Sequence, residues 1–417
     1  MLKRKNHQSA FTRSLFDSEL PEDWRLVPVG DALLGTQYGL SEPGDSTGNT
    51  PIVGMRDLNN GSVNLIGLAT VDDGGADWTG MQLRRGDILL NRTNSADLVG
   101  KTGIVKENSE AVFASYLVRL DVDREKADPE YVNYWLNTAI AQTALKRLST
   151  RGVSQANINP TEFRKHCPLP LPPLPEQRKI AEILRTWDEA IERLEALRAA
   201  NEGRYKALAR RFFDPCHPTF HGRPNAWREF ELGGVFRERS QSGEENDRLL
   251  SITMNAGVIN RDDVGRKDTS TEDKSKYKLI LPGDIGYNTM RMWQGVSGLS
   301  AVRGIISPAY TVVTPVPNRI IGRYAAHLFK SRRMVFDFER YSQGLTSDTW
   351  NLKFPAFSKI TVFVPSIEDQ EKQADLLDTL IAESSVIGKQ LEALTRQKRG
   401  LMQKLLTGEW RVKIEAN

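Results

Sequence analysis

The chain repeats itself, and any fold it adopts must be built twice. Trp24-Arg25 leading to Gly30 returns as Trp227-Arg228 leading to Gly233, and Gly86-Asp87-Ile88 with Asn91 returns as Gly283-Asp284-Ile285 with Asn288. Tyr116-Leu117-Val118 returns as Tyr310-Thr311-Val312, and Gly152, Asn157-Ile158 and Phe163 return as Gly344, Asn351-Leu352 and Phe357. The separations drift from 203 through 197 to 194 residues, as a duplicated unit with loop insertions and deletions would drift. A period this long excludes a solenoid and points to duplication of a whole domain. The 417 residues suffice for two or three buried cores.

Each copy reads as mixed helix and strand. Arg85 to Leu90 is a turn feeding a short buried strand, and Ala111 to Leu120 is a second strand. Pro129 opens a helical run from Glu130 to Leu148, in which Tyr131, Tyr134, Trp135 and Leu136 give one buried face. The second copy offers strands at Gly283 to Tyr287 and Ala309 to Thr314, then a helical run from Ile320 to Tyr341.

Each copy leaves through prolines into a long helix. Pro168-Leu169-Pro170-Leu171-Pro172-Pro173-Leu174-Pro175 favours an extended segment. From Glu176 to Phe213, steps of three and four residues connect a seam of Leu184, Trp187, Ile191, Leu194, Arg198, Asn201, Tyr205 and Leu208, and Asp214-Pro215 stops it. After Val364-Pro365-Ser366 the second helix carries Leu377, Leu380, Ser384, Ile387, Leu391, Leu394, Lys398 and Leu401, closed by Thr407-Gly408. A helix of about 36 residues spans roughly 54 Å and cannot bury its own stripe. A sustained heptad narrows to a coiled-coil seam, so the two helices are expected to pair with each other rather than fold back onto their own domains. The polar positions Arg198, Asn201, Ser384 and Lys398 are candidates for fixing register.

Composition bounds what such a build can be. Hydrophobic content of 39% and charged content of 26% are those of a soluble globular chain, and no apolar run approaches the length of a membrane span. The basic start Met1-Leu2-Lys3-Arg4-Lys5 is not followed by an apolar stretch, so no secretory signal is expected. Cys167 and Cys216 cannot make a disulfide framework, which fits a reducing cytoplasm. A net charge of +4 allows nucleic-acid binding only through a local basic face.

Antiparallel pairing of the helices would relate the two copies by a pseudo-twofold axis. Duplex DNA has the same local dyad, so two inverted readers could enter equivalent grooves at a separation set by the helices. That geometry predicts two half-sites around an unread spacer. Because the two copies differ greatly in sequence, the half-sites should differ, and the target should not be a palindrome.

The residues carrying this build resemble a known family. Phe163 followed by the proline run and Glu176-Gln177-Arg178-Lys179-Ile180-Ala181 resembles the exit of a target recognition domain in specificity subunits of type I restriction–modification enzymes. Leu391-Glu392-Ala393-Leu394 to Lys404-Leu405-Leu406-Thr407-Gly408 is similar to the C-terminal conserved region of that family, and Val364 to Gln370 is a degraded second exit. The resemblance implies an α+β chain: two α/β target recognition domains in tandem duplication, separated by two long helices pairing as an antiparallel coiled coil. The boundaries would be a tail at 1–20, recognition domain 1 at 21–173, helix 1 at 174–213, recognition domain 2 at 214–366, helix 2 at 367–408 and a tail at 409–417. It also implies a non-catalytic subunit that binds double-stranded DNA and no cofactor or metal of its own. Two methyltransferase subunits and two motor–nuclease subunits would bring S-adenosylmethionine, ATP and Mg2+, and the target adenine would be flipped out of the stack by the methyltransferase.

Tests for chemistry in the chain itself come out against it. Gly100-Lys101-Thr102 lacks the upstream glycine of a phosphate loop, where Ser95 stands. Asn159-Pro160-Thr161-Glu162 lacks the second proline and the aromatic of an adenine-methyltransferase motif. Cys216, His217 and His221 offer three metal ligands with no fourth nearby. Two other readings remain: a methyltransferase or nuclease fused to recognition domains, and a coiled-coil scaffold that binds protein.

Base edges are read best by Arg on guanine and by Asn or Gln on adenine, with Lys, Ser and Thr on phosphates. Two loops per copy have that composition. In the first the candidates are Asn91, Arg92, Thr93, Asn94 and Lys101, with Arg151, Ser154, Gln155 and Asn157. In the second they are Asn288, Thr289, Arg291, Trp293 and Gln294, with Ser342, Gln343, Thr346 and Ser347.

Overall fold

A computed structural model of the chain describes residues 20–41, 47–152, 155–244, 246–254, 256–264, 273–346 and 349–414. The chain forms two compact units, residues 1–193 with 391–417 and residues 194–390. Each unit therefore holds one α/β domain together with a portion of each long helix.

The first unit is organised by a six-stranded sheet in the order 33–38, 117–122, 88–91, 102–104, 62–63 and 58–59. Its central strand 88–91 is buried on both faces: Ile88 and Leu90 join one core with Trp135 and Leu145, while Leu89 joins another with Leu117, Val53 and Phe113. The Gly-Asp repeat sets the turn into the central strand. Gly86 takes φ +93°, which favours glycine, and the Asp87 carboxylate accepts the Arg84 N–H at 2.9 Å. The second unit repeats the device with Gly283 at φ +90° and Asp284 accepting the Leu281 N–H at 2.8 Å. Its central sheet runs 236–238, 310–315, 285–288 and 297–299.

Among the described residues the α-helices, in chain order, are α1 (Pro129–Leu136), α2 (Ala139–Leu148), α3 (Pro160–His166), α4 (Leu174–Phe213), α5 (Leu232–Val235), α6 (Gly322–Leu328), α7 (Arg332–Tyr341), α8 (Phe354–Phe357) and α9 (Ile367–Leu406). The helical runs expected at Glu130 to Leu148 and Ile320 to Tyr341 are each broken once. Thr138 accepts the Ala141 N–H and Ser331 accepts the Met334 N–H, so each side chain starts a new helix inside an unbroken apolar pattern. The proline exits are extended as expected and become strands: 168–171 pairs antiparallel with 25–28, and 361–364 with 228–231.

The two long helices pair antiparallel, and the pairing is visible inside each unit. In the first, Ile180, Ala181 and Leu184 of α4 share a core with Leu405 and Leu406 of α9, and farther along α4 the Asp188 carboxylate meets Lys398. In the second, Tyr205, Leu208 and Phe212 of α4 share a core with Ala374 and Leu377 of α9, while Asn201 reaches Leu380 and Ser384. Trp187, Ile191, Leu194, Leu394, Lys398 and Leu401 are half-buried, and Ile387 and Leu391 are buried. Arg198 is exposed and bonds Glu202 one turn on, so Asn201 is the buried polar residue of α4 at this level. The helix ends are also anchored in the domain cores. Thus both modes of burial occur, along the seam and against the domain. Among the described residues no helix is long and apolar enough to cross a membrane.

Candidate nucleic-acid interface

Four neighbouring strands of the first unit bring their ends to one edge of the sheet. Strand 33–38 ends at Tyr38, strand 117–122 begins after Tyr116, strand 88–91 runs out into Arg92, and strand 102–104 begins after Lys101. The Arg92 N–H donates to the Tyr116 carbonyl at 3.0 Å, and the Arg92 guanidinium lies over the Tyr38 ring at 5.2 Å. Lys101 is exposed. A small sheet of strands 149–151, 156–158 and 93–94 then ties the second candidate loop to the first. Thr93 donates its hydroxyl to Asn157 Oδ1 at 2.6 Å, and the Ile158 N–H donates to the Arg92 carbonyl at 2.8 Å. Two segments some 60 residues apart thus form one surface.

The second unit builds the same edge. The Thr289 N–H donates to the Ala309 carbonyl at 3.3 Å, and the Leu352 N–H donates to the Thr289 carbonyl at 2.8 Å, matching the bonds of Arg92. A groove of about 1000 Å³ opens there, lined among others by Asn288, Met290, Arg291, Trp293, Gln294 and Tyr310. Trp293 meets Trp350 edge-on at 5.5 Å and donates its indole N–H to the Met290 carbonyl at 3.0 Å.

Residues 21–200 match the family described as type I restriction modification DNA specificity domain. The Methanocaldococcus jannaschii chain designated the MjaX type I restriction enzyme specificity subunit is 26% identical over 424 residues, covering 95% of each chain. The MjaVIII specificity subunit of the same organism is 24% identical over 431 residues, covering 94% of each. The chain is thus similar to type I specificity subunits along nearly its whole length. The solved S subunit of a type I restriction–modification system from M. genitalium shares its fold, with a TM-score of 0.61 at 16% identity over 94% of this chain and 97% of that one.

The sequence candidates divide by what their side chains touch. Asn91 is fully buried, and neither atom of its amide has a partner among the described residues. Thr93 is buried on Asn157. Thr289 donates its hydroxyl to the Ala309 carbonyl at 2.9 Å, and Ser342 donates to the Phe338 carbonyl at 2.7 Å. Asn288 accepts the Met290 N–H at 3.0 Å, and Asn94 accepts the Ser95 N–H at 2.8 Å. These side chains shape the loops. Arg291, Gln155, Gln343 and Thr346 are exposed with Lys101, and the Gln343 backbone bridges Asn351 to fold the second loop back. The Arg151 backbone pairs with Ala156, whereas Ser154 and Ser347 lie outside the described residues.

Two aromatic residues at this edge escaped the composition search. Tyr38 and Tyr116 are 50% and 48% exposed. Tyr116 carried a signal, since it opens a repeated motif; Tyr38 carried none, because its strand is joined to the edge only by pairing with residues about 80 positions on.

The histidine and cysteine cluster is occupied by protein groups. His217 Nε2 lies 3.1 Å from Asp337, and Cys216 Sγ lies 3.2 Å from the Tyr324 hydroxyl. Burial pushes the Cys216 and Cys167 thiols up to about 12.

Proposed function

We propose that this chain is a specificity subunit that reads a bipartite, asymmetric DNA sequence, one half-site per recognition domain (21–173 and 214–366), and carries no catalytic centre of its own. The carrying observation is the pair of equivalent sheet edges. The two edges share their backbone bonds, yet carry their polar, cationic and aromatic groups on different residues and at different positions, as two readers of different half-sites require. On this reading the helices α4 and α9 dock two methyltransferase subunits and two motor–nuclease subunits in the cytoplasm. S-adenosylmethionine, ATP and Mg2+ belong to those partners.

The test is methylation by the assembled complex. With a type I methyltransferase partner and S-adenosylmethionine, mapped methyladenines should fall in one asymmetric sequence with a fixed spacer, in a manner sensitive to salt. Methylation without sequence preference would overturn the reading. A complex that never binds DNA would instead favour a protein-binding scaffold.

A further inference from the structure

We propose that Tyr38 is a positioning residue that presents Arg92 to a guanine in the half-site read by the first domain. This rests on the DNA-reading function above and specifies one contact within it.

Most arginines at comparable depth in this chain are already engaged. Arg119 donates to the Gln82 carbonyl, to Asp87, to Gln37 and to the Gly80 carbonyl. Arg92 differs. Its Nε is buried and takes no partner, and among the described residues no carboxylate pairs with it. What holds the guanidinium is the face of Tyr38, and the backbone on either side is fixed by Tyr116 and Ile158. A half-exposed ring under an unpaired guanidinium stabilises the cation while leaving its terminal N–H groups uncommitted. That arrangement limits the rotamer freedom lost on binding. A planar fork of two parallel donors matches O6 and N7 of guanine in the major groove.

The device is confined to one domain. Ile285 pairs with Val313 as Ile88 pairs with Leu120, so the residue that stands opposite Thr311, as Tyr38 stands opposite Val118, is Ser240, which has no ring. The counterpart of Gln37 is Arg239. Arg239 is bound through Nε and Nη2 to the buried Asp284 at 2.7 and 3.1 Å. The position equivalent to Arg92 is Thr289, whose hydroxyl is spent on Ala309. At these two positions the second domain therefore has neither ring nor guanidinium.

The experiment uses the full chain in complex with its methyltransferase partner, on duplexes carrying the mapped target and every single base-pair change in the first half-site. Tyr38→Ala and Arg92→Lys should each reduce discrimination at one G·C pair by about tenfold. Tyr38→Leu, which keeps bulk but no π face, should behave as Tyr38→Ala, and Tyr38→Phe should keep discrimination. Affinity for unrelated duplex and its salt dependence should not move, and the second half-site serves as the measure of intact folding. A uniform loss on all sequences with a shallower salt slope would make Arg92 a phosphate contact and overturn the proposal. So would unchanged discrimination, or loss with Tyr38→Phe. A wild-type complex without sequence preference would overturn the DNA-reading function itself.

Discussion

The Glu130 carboxylate lies 3.1 Å from the Arg185 guanidinium, and 193 residues on the same pair returns with its charges exchanged, Arg323 to Asp378 at 2.9 Å. Both copies thus require attraction between the domain helix and the start of its long helix, while the sign is free to change. Partly exposed pairs contribute at most about 1 kcal/mol. Arg185→Glu should therefore cost the first unit about 1 kcal/mol, since it replaces an attraction by a repulsion. Glu130→Arg combined with Arg185→Glu should recover most of it. Urea denaturation of the four chains gives the coupling directly, and strictly additive losses would show that the two groups do not interact.

A second repeated contact is buried and should matter more. Gln177 donates to the Pro172 carbonyl at 2.9 Å and the Lys126 carbonyl at 3.1 Å, and accepts the Asp128 N–H at 2.9 Å. Gln370 makes the same three bonds to Pro365, Arg319 and Ile321, each at 3.0 Å. Each buried backbone group left unpaired costs about 1–3 kcal/mol. Gln177→Ala and Gln370→Ala should each cost about 3 kcal/mol, and Gln177→Glu, which keeps the acceptor but loses both donors, should also destabilise. Amide exchange at Asp128 would quicken with the loss.

These contacts explain what could be read from the sequence. The duplication was legible because its anchors are backbone devices: a glycine at positive φ, an Asp that closes a turn, a Gln that closes an exit. The long helices were legible because a heptad seam repeats many times. The helix breaks at Thr138 and Ser331 were not, because a capping hydroxyl in a continuous apolar pattern looks like any polar helix residue. Composition picked out loops that lie at the sheet edge but not the direction of each side chain, so it could not separate buried Asn91 from exposed Lys101. Tyr38 required the sheet pairing itself. Heptad counting likewise placed Arg198 on the seam, where the structure has it exposed.

His327 joins both long helices in the second unit. Its Nε2 lies 2.8 Å from Asp378 Oδ1 and its Nδ1 lies 3.1 Å from the Tyr205 hydroxyl. A neutral ring protonated on Nε2 satisfies both partners, donating to the carboxylate and accepting from the phenol. Burial lowers its pKa below 6.5, and the nearby Asp378 only partly offsets this. The unfolded chain then binds more protons than the folded chain in the window between the lowered folded pKa and 6.5. The stability from this site should be complete above that window and fall as pH drops through it. Wild type should lose more stability than His327→Gln between about pH 7.5 and about pH 5.5, where carboxylates stay ionised. A wild type that gains stability on acidification relative to His327→Gln would show that the Asp378 pairing outweighs burial.

Asn201 carries the opposite balance. It is 3% exposed, its Nδ2 donates to the Leu380 carbonyl at 2.8 Å and to Ser384 Oγ at 2.9 Å, and its Oδ1 is buried with no partner among the described residues. The Leu380 carbonyl lies inside α9 and keeps its helical bond without Asn201, and Ser384 can return its hydroxyl to its own helix. Little is therefore orphaned when the amide goes, while the buried Oδ1 no longer has to be desolvated. Asn201→Leu should raise stability by about 1 kcal/mol. Asn201→Ala, which removes the same bonds but leaves a void in the seam, should lower it by a similar amount. Urea denaturation reads both signs. A loss with Asn201→Leu would mean that the two hydrogen bonds outweigh the unpaired oxygen, making the polar seam a source of stability rather than a cost.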